Sequence, residues 1–289
     1  MDLNYLKEKL QAKEDMLAHT TDFLIQIQNN LEEKNTELQL ANKDIFDSIS
    51  FASLIQNALL PDVEVLKIFF KDASYKVMQK IGIGGDSVFV KNTNKGVVFG
   101  LLDSTGHGIP AALLSISGTL LLKELMTAME IDNPKTLFNL LNYQLHNAFS
   151  NNKSSIAHQE GVIFSYSSTE NRLTYSSAKG KALLLHTNGE IDELVNTKNS
   201  IGDDLNSEFE LFKIDVVPGD KLIIHSDGLT DQFGGSENKK FSRKRLKKFL
   251  NQLGGDNAST ISKKIEDEFT LWKNNNKQTD DVSFIVIEF

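Results

Sequence analysis

The fold is decided by the stretch Gly100-Leu101-Leu102-Asp103-Ser104-Thr105-Gly106-His107-Gly108-Ile109-Pro110-Ala111-Ala112. An apolar run over residues 97–102 ends in the carboxylate of Asp103, a glycine-rich turn follows, and Pro110 suits the first turn of a helix. The pattern predicts a buried strand with Asp103 at its C-terminal tip, facing a cleft. Gly106 and Gly108 leave room there for a ligand or metal to approach the main chain. An ordinary turn or capping role for Asp103 fits the same residues equally well.

The composition limits which partners and which kinds of metal site the chain can have. The chain has 289 residues, 39 acidic and 31 basic, with a net charge of −8, and its hydrophobic content of 40% is enough for a sizeable core. An acidic chain of this kind disfavours a nucleic-acid partner, which usually needs a basic face. The sequence contains no cysteine, which excludes disulfides and thiolate metal sites and leaves oxygen or imidazole ligands.

The N-terminal residues lack the basic and apolar regions of a signal peptide. The uncharged span from Ser104 to Leu122 is long enough to cross a bilayer, but it carries Ser, Thr, Gly, His and Pro throughout. We therefore interpret it as a buried core helix and expect a soluble, cytoplasmic protein without membrane contact.

Residues 3–59 contain neither Gly nor Pro and predict one long helix. Apolar residues recur at every seventh position: Leu3, Leu10, Leu17, Leu24, Leu31, Leu38, Ile45 and Ala52. Such a heptad seam predicts a left-handed coiled coil and hence a homodimer. The second series of heptad positions, three residues after the first, is half polar. This favours a weak coiled coil, which suits a signalling role. The alternative is a lone helix that packs back on the body. Pro61 ends the pattern, so we assign residues 1–60 to a regulatory helix and 61–289 to a globular domain.

The body predicts an α+β fold in which helices come before and after a series of antiparallel strands. Strands are predicted over 75–81, 87–91, 96–102, 161–167, 172–177, 182–186, 191–195, 209–216, 221–225 and 282–289, and helices over 110–129, 134–149, 243–253 and 258–274. The strands from 161 to 225 follow one another like a meander, and residues 150–159 are predicted to form a polar loop.

Four acidic positions share one local pattern, an aspartate at the end of an apolar strand beside small residues. They are Asp86, Asp103, Asp227 and Asp280, the last followed by Asp281. If these strands are neighbours, the carboxylates meet at one edge and repel each other unless a cation neutralises them. Hard divalent ions such as Mg²⁺ or Mn²⁺ prefer these ligands, and a pair of them can activate a water for attack on a phosphoryl group. Asp281 is expected to hydrogen-bond locally beside Asp280, with contact to the site through a water as the alternative.

The same positions carry a resemblance to the SpoIIE/RsbU-type bacterial members of the PP2C (PPM) serine/threonine phosphatases. The motifs that resemble theirs are Gly84-Gly85-Asp86, Asp103-Ser104-Thr105-Gly106-His107-Gly108-Ile109-Pro110-Ala111-Ala112, Ser226-Asp227-Gly228-Leu229-Thr230-Asp231 and Asp280-Asp281-Val282-Ser283. Residues 48–61 also look like the helix that leads into such domains, so the resemblance covers roughly residues 45–289.

The resemblance implies a four-layer α-β-β-α sandwich with two Mn²⁺ or Mg²⁺ ions. Asp103 would bridge the ions, the Ser104 carbonyl would bind one, Asp227 and Asp280 would bind the other, and Asp86 would bind directly or through water. The implied substrate is phosphoserine or phosphothreonine on a protein, often an anti-sigma-factor antagonist of the STAS type.

Three segments depart from the family pattern. They are Ser87-Val88-Phe89, where relatives have a second carboxylate; Ala178-Lys179-Gly180-Lys181-Ala182, where relatives have a G-H/Y-N-P turn; and Glu160-Gly161-Val162, where relatives have D-G-M. None of them removes an implied metal ligand, but they leave the substrate open.

Other candidates receive plainer interpretations. His107 is interpreted as a loop residue, with donation to a substrate phosphate or a metal-bound water as the alternative. His225 is interpreted as structural, Asp231 as a turn or supporting residue and Trp272 as core. The basic run over 239–248 is interpreted as a solvated face, with contact to an acidic substrate protein as the alternative.

The leading hypothesis is a metal-dependent serine/threonine phosphatase regulated through an N-terminal coiled coil. The rival is a catalytically weak phosphatase-fold scaffold that acts through the coil. A metal-dependent phosphodiesterase or nuclease is the third class, disfavoured by the acidic balance.

Overall fold

The computed structural model describes residues 3–149, 158–170 and 172–289, and its contacts divide the chain into two compact units, Met1–Phe51 and Ala52–Phe289. Most of the polar loop predicted over residues 150–159 lies outside the described residues, and Gln159 already belongs to a strand.

The helix predicted over residues 3–59 is confirmed as α1, Leu3–Ala58. Its heptad side chains from Leu3 to Ile45 are all exposed in the single chain, from 54% at Ile45 to 68% at Leu3 and Leu17. Only Gln56 is buried. The pairing of this helix with a second copy stays a prediction.

The remaining described residues form six further α-helices and twelve strands. In chain order they are α2 Glu64–Lys67, β1 Asp72–Met78, β2 Asp86–Thr93, β3 Gly96–Ser104, α3 Ile109–Ala128, α4 Pro134–Phe149, β4 Gln159–Ser167, β5 Arg172–Ala178, β6 Lys181–Leu185, β7 Ile191–Glu193, β8 Phe212–Ile214, β9 Lys221–His225, α5 Asp227–Asp231, β10 Phe233–Gly234, β11 Lys239–Lys240, α6 Arg243–Leu250, α7 Ala258–Lys273 and β12 Val282–Glu288.

Two five-stranded antiparallel sheets make up the centre of the second unit. One has the strand order β1-β12-β9-β6-β7 and the other the order β2-β3-β4-β5-β8. Side chains from both sheets, among them Phe99, Phe164, Ile224 and Ile285, share one apolar core. Helices α3 and α4 pack on the outer face of the second sheet, and α6 and α7 on the outer face of the first. The predicted α-β-β-α sandwich is confirmed.

Alternation along β12 explains the apolar run at residues 284–287. Ile285 and Ile287 face the core between the sheets, whereas Phe284 and Val286 face the helices α6 and α7. A strand covered on both faces has no solvent side, so both sets of alternating residues are hydrophobic.

The predicted antiparallel pairing is confirmed, but the strands from 159 to 225 do not form one continuous meander. β4, β5 and β8 lie in one sheet, and β6 and β7 lie in the other. The chain changes sheets at Lys179-Gly180, where Lys179 has a φ of 55°. Adjacent strands along the chain therefore sit in different layers, which hydrophobic alternation alone does not reveal. The short helices α2 and α5 and the small β10–β11 hairpin were not predicted.

Helix α3 is long and apolar enough by length and composition to span a membrane, and half of its most apolar window is buried. Leu114, Leu122 and Leu125 of this helix pack in the core beneath the second sheet.

Candidate metal centre

The first two carboxylates lie opposite each other at the end of a β-hairpin. Asp86 opens β2 and is the register partner of Asp103 near the end of β3, and Asp103 in turn faces Glu160 of β4. The loop before β2 and the end of β3 are joined by a hydrogen bond from the Ser104 amide to the Gly85 carbonyl, 3.1 Å. A Cβ on Gly85 would lie 2.5 Å from the Ser104 carbonyl oxygen, so this approach requires glycine.

The other two carboxylates come from the neighbouring ends of β9 and β12 in the other sheet. Asp227 starts the short helix α5 directly after β9, and Asp280 precedes β12, which pairs with β9. Gly228 permits this arrangement, since a Cβ at that position would lie 1.9 Å from the Asp281 carbonyl oxygen.

The four predicted carboxylates are electrostatic neighbours. Burial raises the pKa of Asp103 well above its ordinary value, and the charges of Asp86, Asp227 and Asp280 raise it further, followed by that of Glu160. Burial also raises the pKa of Asp86 to about 7, with Asp281 and Asp227 adding to the shift. The pKa of Asp280 is raised, first by burial and then by Asp227. The structure therefore brings Asp86, Asp103, Asp227 and Asp280 from two sheets to one end of the sandwich.

Asp86 is the most constrained of them. It is almost fully buried, and neither of its carboxylate oxygens has a hydrogen-bond partner among the described residues. The hydroxyls of Ser226 and Ser283 lie near enough to lower its pKa, but neither makes a hydrogen bond to it. Two buried carboxylate oxygens without a partner are costly unless a cation or a proton satisfies them.

The donor set fits a hard divalent ion, since it consists of oxygens only. Within the described residues, no three acidic or imidazole side chains lie close enough together to form a complete metal-binding group. Ser104, whose carbonyl is a predicted ligand, is buried beside them, and its hydroxyl accepts a hydrogen bond from the Gln159 amide at 2.8 Å.

Asp281 holds the loop in front of Asp86. Its Oδ1 accepts from the Lys80 amide and its Oδ2 from the Gly85 amide, both at 2.7 Å. These partners lie about two hundred residues away along the chain. The predicted local hydrogen bond is also present, since the Asp281 amide donates to Asp280 Oδ1 at 2.9 Å.

Gln56, in the last turn of α1, holds the same loop from the other side. Its Nε2 donates to the Gly84 carbonyl at 2.7 Å, and its Oε1 accepts from the Gly84 amide at 3.2 Å. Beyond it, Lys123 of α3 donates to the Leu59 carbonyl at 3.0 Å. No sequence signal singled out Gln56, because a glutamine near a helix end is ordinary until its partner is known.

Two lysines of the unusual segment 178–182 border the carboxylates. The Lys181 ammonium lies 3.7 Å from Asp227 Oδ2, and the Lys179 ammonium lies 3.4 Å from Glu160 Oε1. Together with Asp103 they line a small surface pocket. This segment departs from the family pattern, and its sequence predicts no role for either lysine.

The remaining candidates lie around this centre. His107 is exposed, and its charge lowers the pKa of Asp280. His225 is buried, its Nδ1 donates to the Ser226 carbonyl at 2.8 Å, and burial lowers its pKa to about 4, so it is neutral at physiological pH. Asp231 forms a surface ion pair with Lys240 at 2.9 Å. Trp272 is partly buried, with the Arg245 guanidinium 4.2 Å from its ring centre.

Comparisons with known proteins agree with the geometry. Residues 93–289 match the family model described as stage II sporulation protein E (SpoIIE). The SiaA-PP2C domain of Pseudomonas aeruginosa has a TM-score of 0.79 and 21% identity over 86% of this chain and 98% of its own. The RsbU and RsbW domains of Rv1364c from Mycobacterium tuberculosis have a TM-score of 0.61 and 18% identity over 75% of this chain and 59% of their own.

A third solved structure contains the PP2C phosphatase domain and a fragment of the regulatory domain of SpoIIE from Bacillus subtilis. It has a TM-score of 0.61 and 15% identity over 75% of this chain and 63% of its own. Comparison with curated protein sequences gives no match.

Proposed function

The chain belongs to the SpoIIE family and has the PP2C phosphatase fold, and from this premise we propose that it is a metal-dependent hydrolase of phosphoserine and phosphothreonine in proteins. The observation that carries the proposal is the convergence of Asp86, Asp103, Asp227 and Asp280 from the ends of two sheets, with buried Asp86 oxygens that have no other described partner.

Asp86, Asp103, Asp227, Asp280 and the Ser104 carbonyl would hold two Mn²⁺ or Mg²⁺ ions. When bound, such ions supply Lewis acidity that activates a water and orients a phosphoryl group for in-line attack. The residues of the chain position that reaction. Asp281 and Gln56 fix the Gly84-Gly85 loop, which sets the place of Asp86, and Gln159 fixes Ser104.

The direct test of this function is the metal dependence of hydrolysis. We expect turnover of p-nitrophenyl phosphate and of a phosphoserine peptide in Mn²⁺, and loss of turnover in EDTA, restored when Mn²⁺ is added back. Equal rates with Mn²⁺ and with EDTA would contradict the mechanism. Faster hydrolysis of bis-p-nitrophenyl phosphate than of the monoester would favour a phosphodiesterase.

The rival function, a signalling scaffold with weak catalysis, is favoured by the altered segments around Lys179 and Glu160. Calorimetric titration with Mn²⁺ separates the two, because a scaffold does not need to bind the metal. The absence of Mn²⁺ binding, together with no turnover of any phosphopeptide, would support the scaffold.

We further propose the regulatory part of the hypothesis. Residues 1–60 would form a homodimeric coiled coil that controls the phosphatase domain at 61–289, in the cytoplasm, with a STAS-type phosphoprotein as the substrate class implied by the family resemblance. Two observations support the control: the exposed heptad seam of α1, and the hydrogen bonds of Gln56 to the Gly84 backbone beside Asp86. A change in the position of the last helical turn would alter the loop that places a metal ligand.

The coiled coil is tested by a matched pair of substitutions. Leu38 lies on the heptad seam and Leu40 lies off it, and their exposures in the single chain are 62% and 61%. We expect Leu38→Glu to shift the protein from dimer to monomer in analytical ultracentrifugation, since a charge in the seam must be buried on pairing. Leu40→Glu should remain dimeric. A monomeric wild type, or equal effects of both substitutions, would rule out the proposed seam.

A further inference from the structure

We propose that the chain has an anion-binding subsite beside the metal centre, which takes a glutamate or aspartate side chain of the protein substrate next to its phosphorylated residue. This inference rests on the proposed phosphatase function and adds the class of sequence that the site prefers. It is carried by a basic pocket that shares a wall with the carboxylate centre.

The pocket adjoins the carboxylate centre directly. Its volume is about 30 Å³, which is room for the end of one side chain rather than for a whole small-molecule ligand. Lys181 and His225 line both this pocket and the smaller one beside Asp103 and Asp227. When the phosphoryl group of a substrate lies at the carboxylates, a neighbouring residue of the same substrate therefore lies over the pocket.

The charges of the pocket favour an anion. Three cations line it, Lys181, Arg243 and Lys247, against one carboxylate, Glu193. Lys247 pairs with Glu193 at 2.8 Å, so that pair is neutral. Two positive charges remain, on a protein whose net charge is −8.

Of these two cations, only Lys181 forms an ion pair within the described residues. Arg243 is exposed, and its guanidinium makes no ion pair within the described part of the chain, although its charge is close enough to lower the pKa of Glu193. The nearest carboxylate to Lys181 is Asp227 at 3.7 Å, which is one of the proposed metal ligands. An ion bound by Asp227 would compete for that carboxylate and leave the Lys181 ammonium available.

A carboxylate side chain is the occupant that fits best. A guanidinium binds a carboxylate through two parallel hydrogen bonds, and an adjacent ammonium adds a point charge. Asn196 also lines the pocket, and its side-chain amide has a second N–H besides the one that donates to the Gly180 carbonyl at 3.5 Å. The pocket opens at the surface, so it suits a side chain on a peptide that continues past the reacting residue.

The test compares two synthetic phosphoserine peptides, one with glutamates on both sides of the phosphoserine and one with glutamines there. We expect the wild-type protein in Mn²⁺ to show a KM about fivefold lower for the glutamate peptide, the size of a partly screened charge pair. Arg243→Glu should abolish or reverse this preference, and added salt should weaken it in the wild type.

Lys244→Glu is the matched control. It makes the same charge change on the next residue of α6, which does not line the pocket. The KM ratio of the two peptides should stay as in the wild type. A ratio of one in the wild type, or an equal loss of preference in both variants, would overturn the proposal.

A binding measurement keeps the subsite separate from catalysis. Fluorescence anisotropy of labelled peptides of the same two sequences, with serine in place of phosphoserine, is measured with wild-type and variant proteins in Mn²⁺. Tighter binding of the glutamate peptide to the wild type, lost in Arg243→Glu and kept in Lys244→Glu, supports the subsite even if no peptide is hydrolysed. If neither peptide is hydrolysed, the phosphatase proposal fails, and equal or undetectable binding of both peptides then overturns the subsite as well.

Discussion

Asp103→Asn is expected to lower kcat for phosphopeptide hydrolysis by about a thousandfold, which corresponds to about 4 kcal/mol of transition-state stabilisation. Asp103 is the residue whose pKa is raised by the charges of Asp86, Asp227 and Asp280 together, so it lies nearest the electrostatic centre of the group. An amide keeps the shape of the side chain but cannot supply the negative charge that would bridge two cations.

The same substitution should stabilise the metal-free protein. Removing the Asp103 charge relieves the repulsion that it shares with its neighbours, so the melting temperature in EDTA should rise while activity in Mn²⁺ falls. Opposite signs of these two effects distinguish a metal-centre role from a structural one.

Asp256→Asn is the control for this substitution. Asp256 forms a surface ion pair with Lys264 at 2.7 Å, and we expect its replacement to leave both kcat and metal-free stability close to the wild type. Full activity of Asp103→Asn, or a lower melting temperature in EDTA, would contradict the proposed role of Asp103.

The local pattern of the sequence was sufficient to find the carboxylates. An aspartate at the end of an apolar strand beside glycines occurs at Asp86, Asp103 and Asp227, and the structure places all three at one end of the sandwich. The pattern is informative because a buried strand fixes the position of the residue at its tip, and glycine permits close backbone contacts there, as at Gly85 and Gly228.

The partners of the loop before Asp86 could not be predicted in this way. Gln56 lies 28 residues from its partner Gly84, and Asp281 lies 196 residues from Gly85. Nothing in periodicity or local propensity encodes a hydrogen bond between a side chain and a distant backbone group. The same limit applies to the assignment of strands to sheets, because β5 and β6 are consecutive in the chain but belong to opposite layers.

Lys179 and Lys181 show how a departure from a family pattern can be informative. The resemblance identified the segment as unusual, and only the structure places its ammonium groups beside Glu160 and Asp227. The charge of a side chain is visible in the sequence, whereas its distance from a carboxylate on another strand is a property of the fold.

The metal-free protein is expected to lose stability as the pH rises from about 5 to about 8, with a fall in melting temperature of about 5 °C or more. Burial raises the pKa of Asp86 in the folded protein to about 7, from an ordinary value of 3.8. A carboxyl group with a raised pKa favours folding in its protonated form, so its contribution is complete below about pH 4 and is lost as the pH rises through about 7. The pKa of Asp103 is raised for the same main reason, and its contribution has the same sign.

A divalent cation should reverse this trend, because ionised carboxylates bind it and protonated ones do not. We expect Mn²⁺ to raise the melting temperature strongly at about pH 8 and little at about pH 5. His186 also contributes stability that is lost on raising the pH, since hydrogen bonds to Asp192 and Asp220 raise its pKa. Comparison of the wild type with Asp103→Asn isolates the metal centre, because His186 is unchanged in both. Two results would contradict this prediction. One is a wild-type melting temperature in EDTA that stays level or rises with pH, and the other is a fall of equal size in Asp103→Asn. Either would show that the buried carboxylates do not carry the charge repulsion on which the proposed metal site depends.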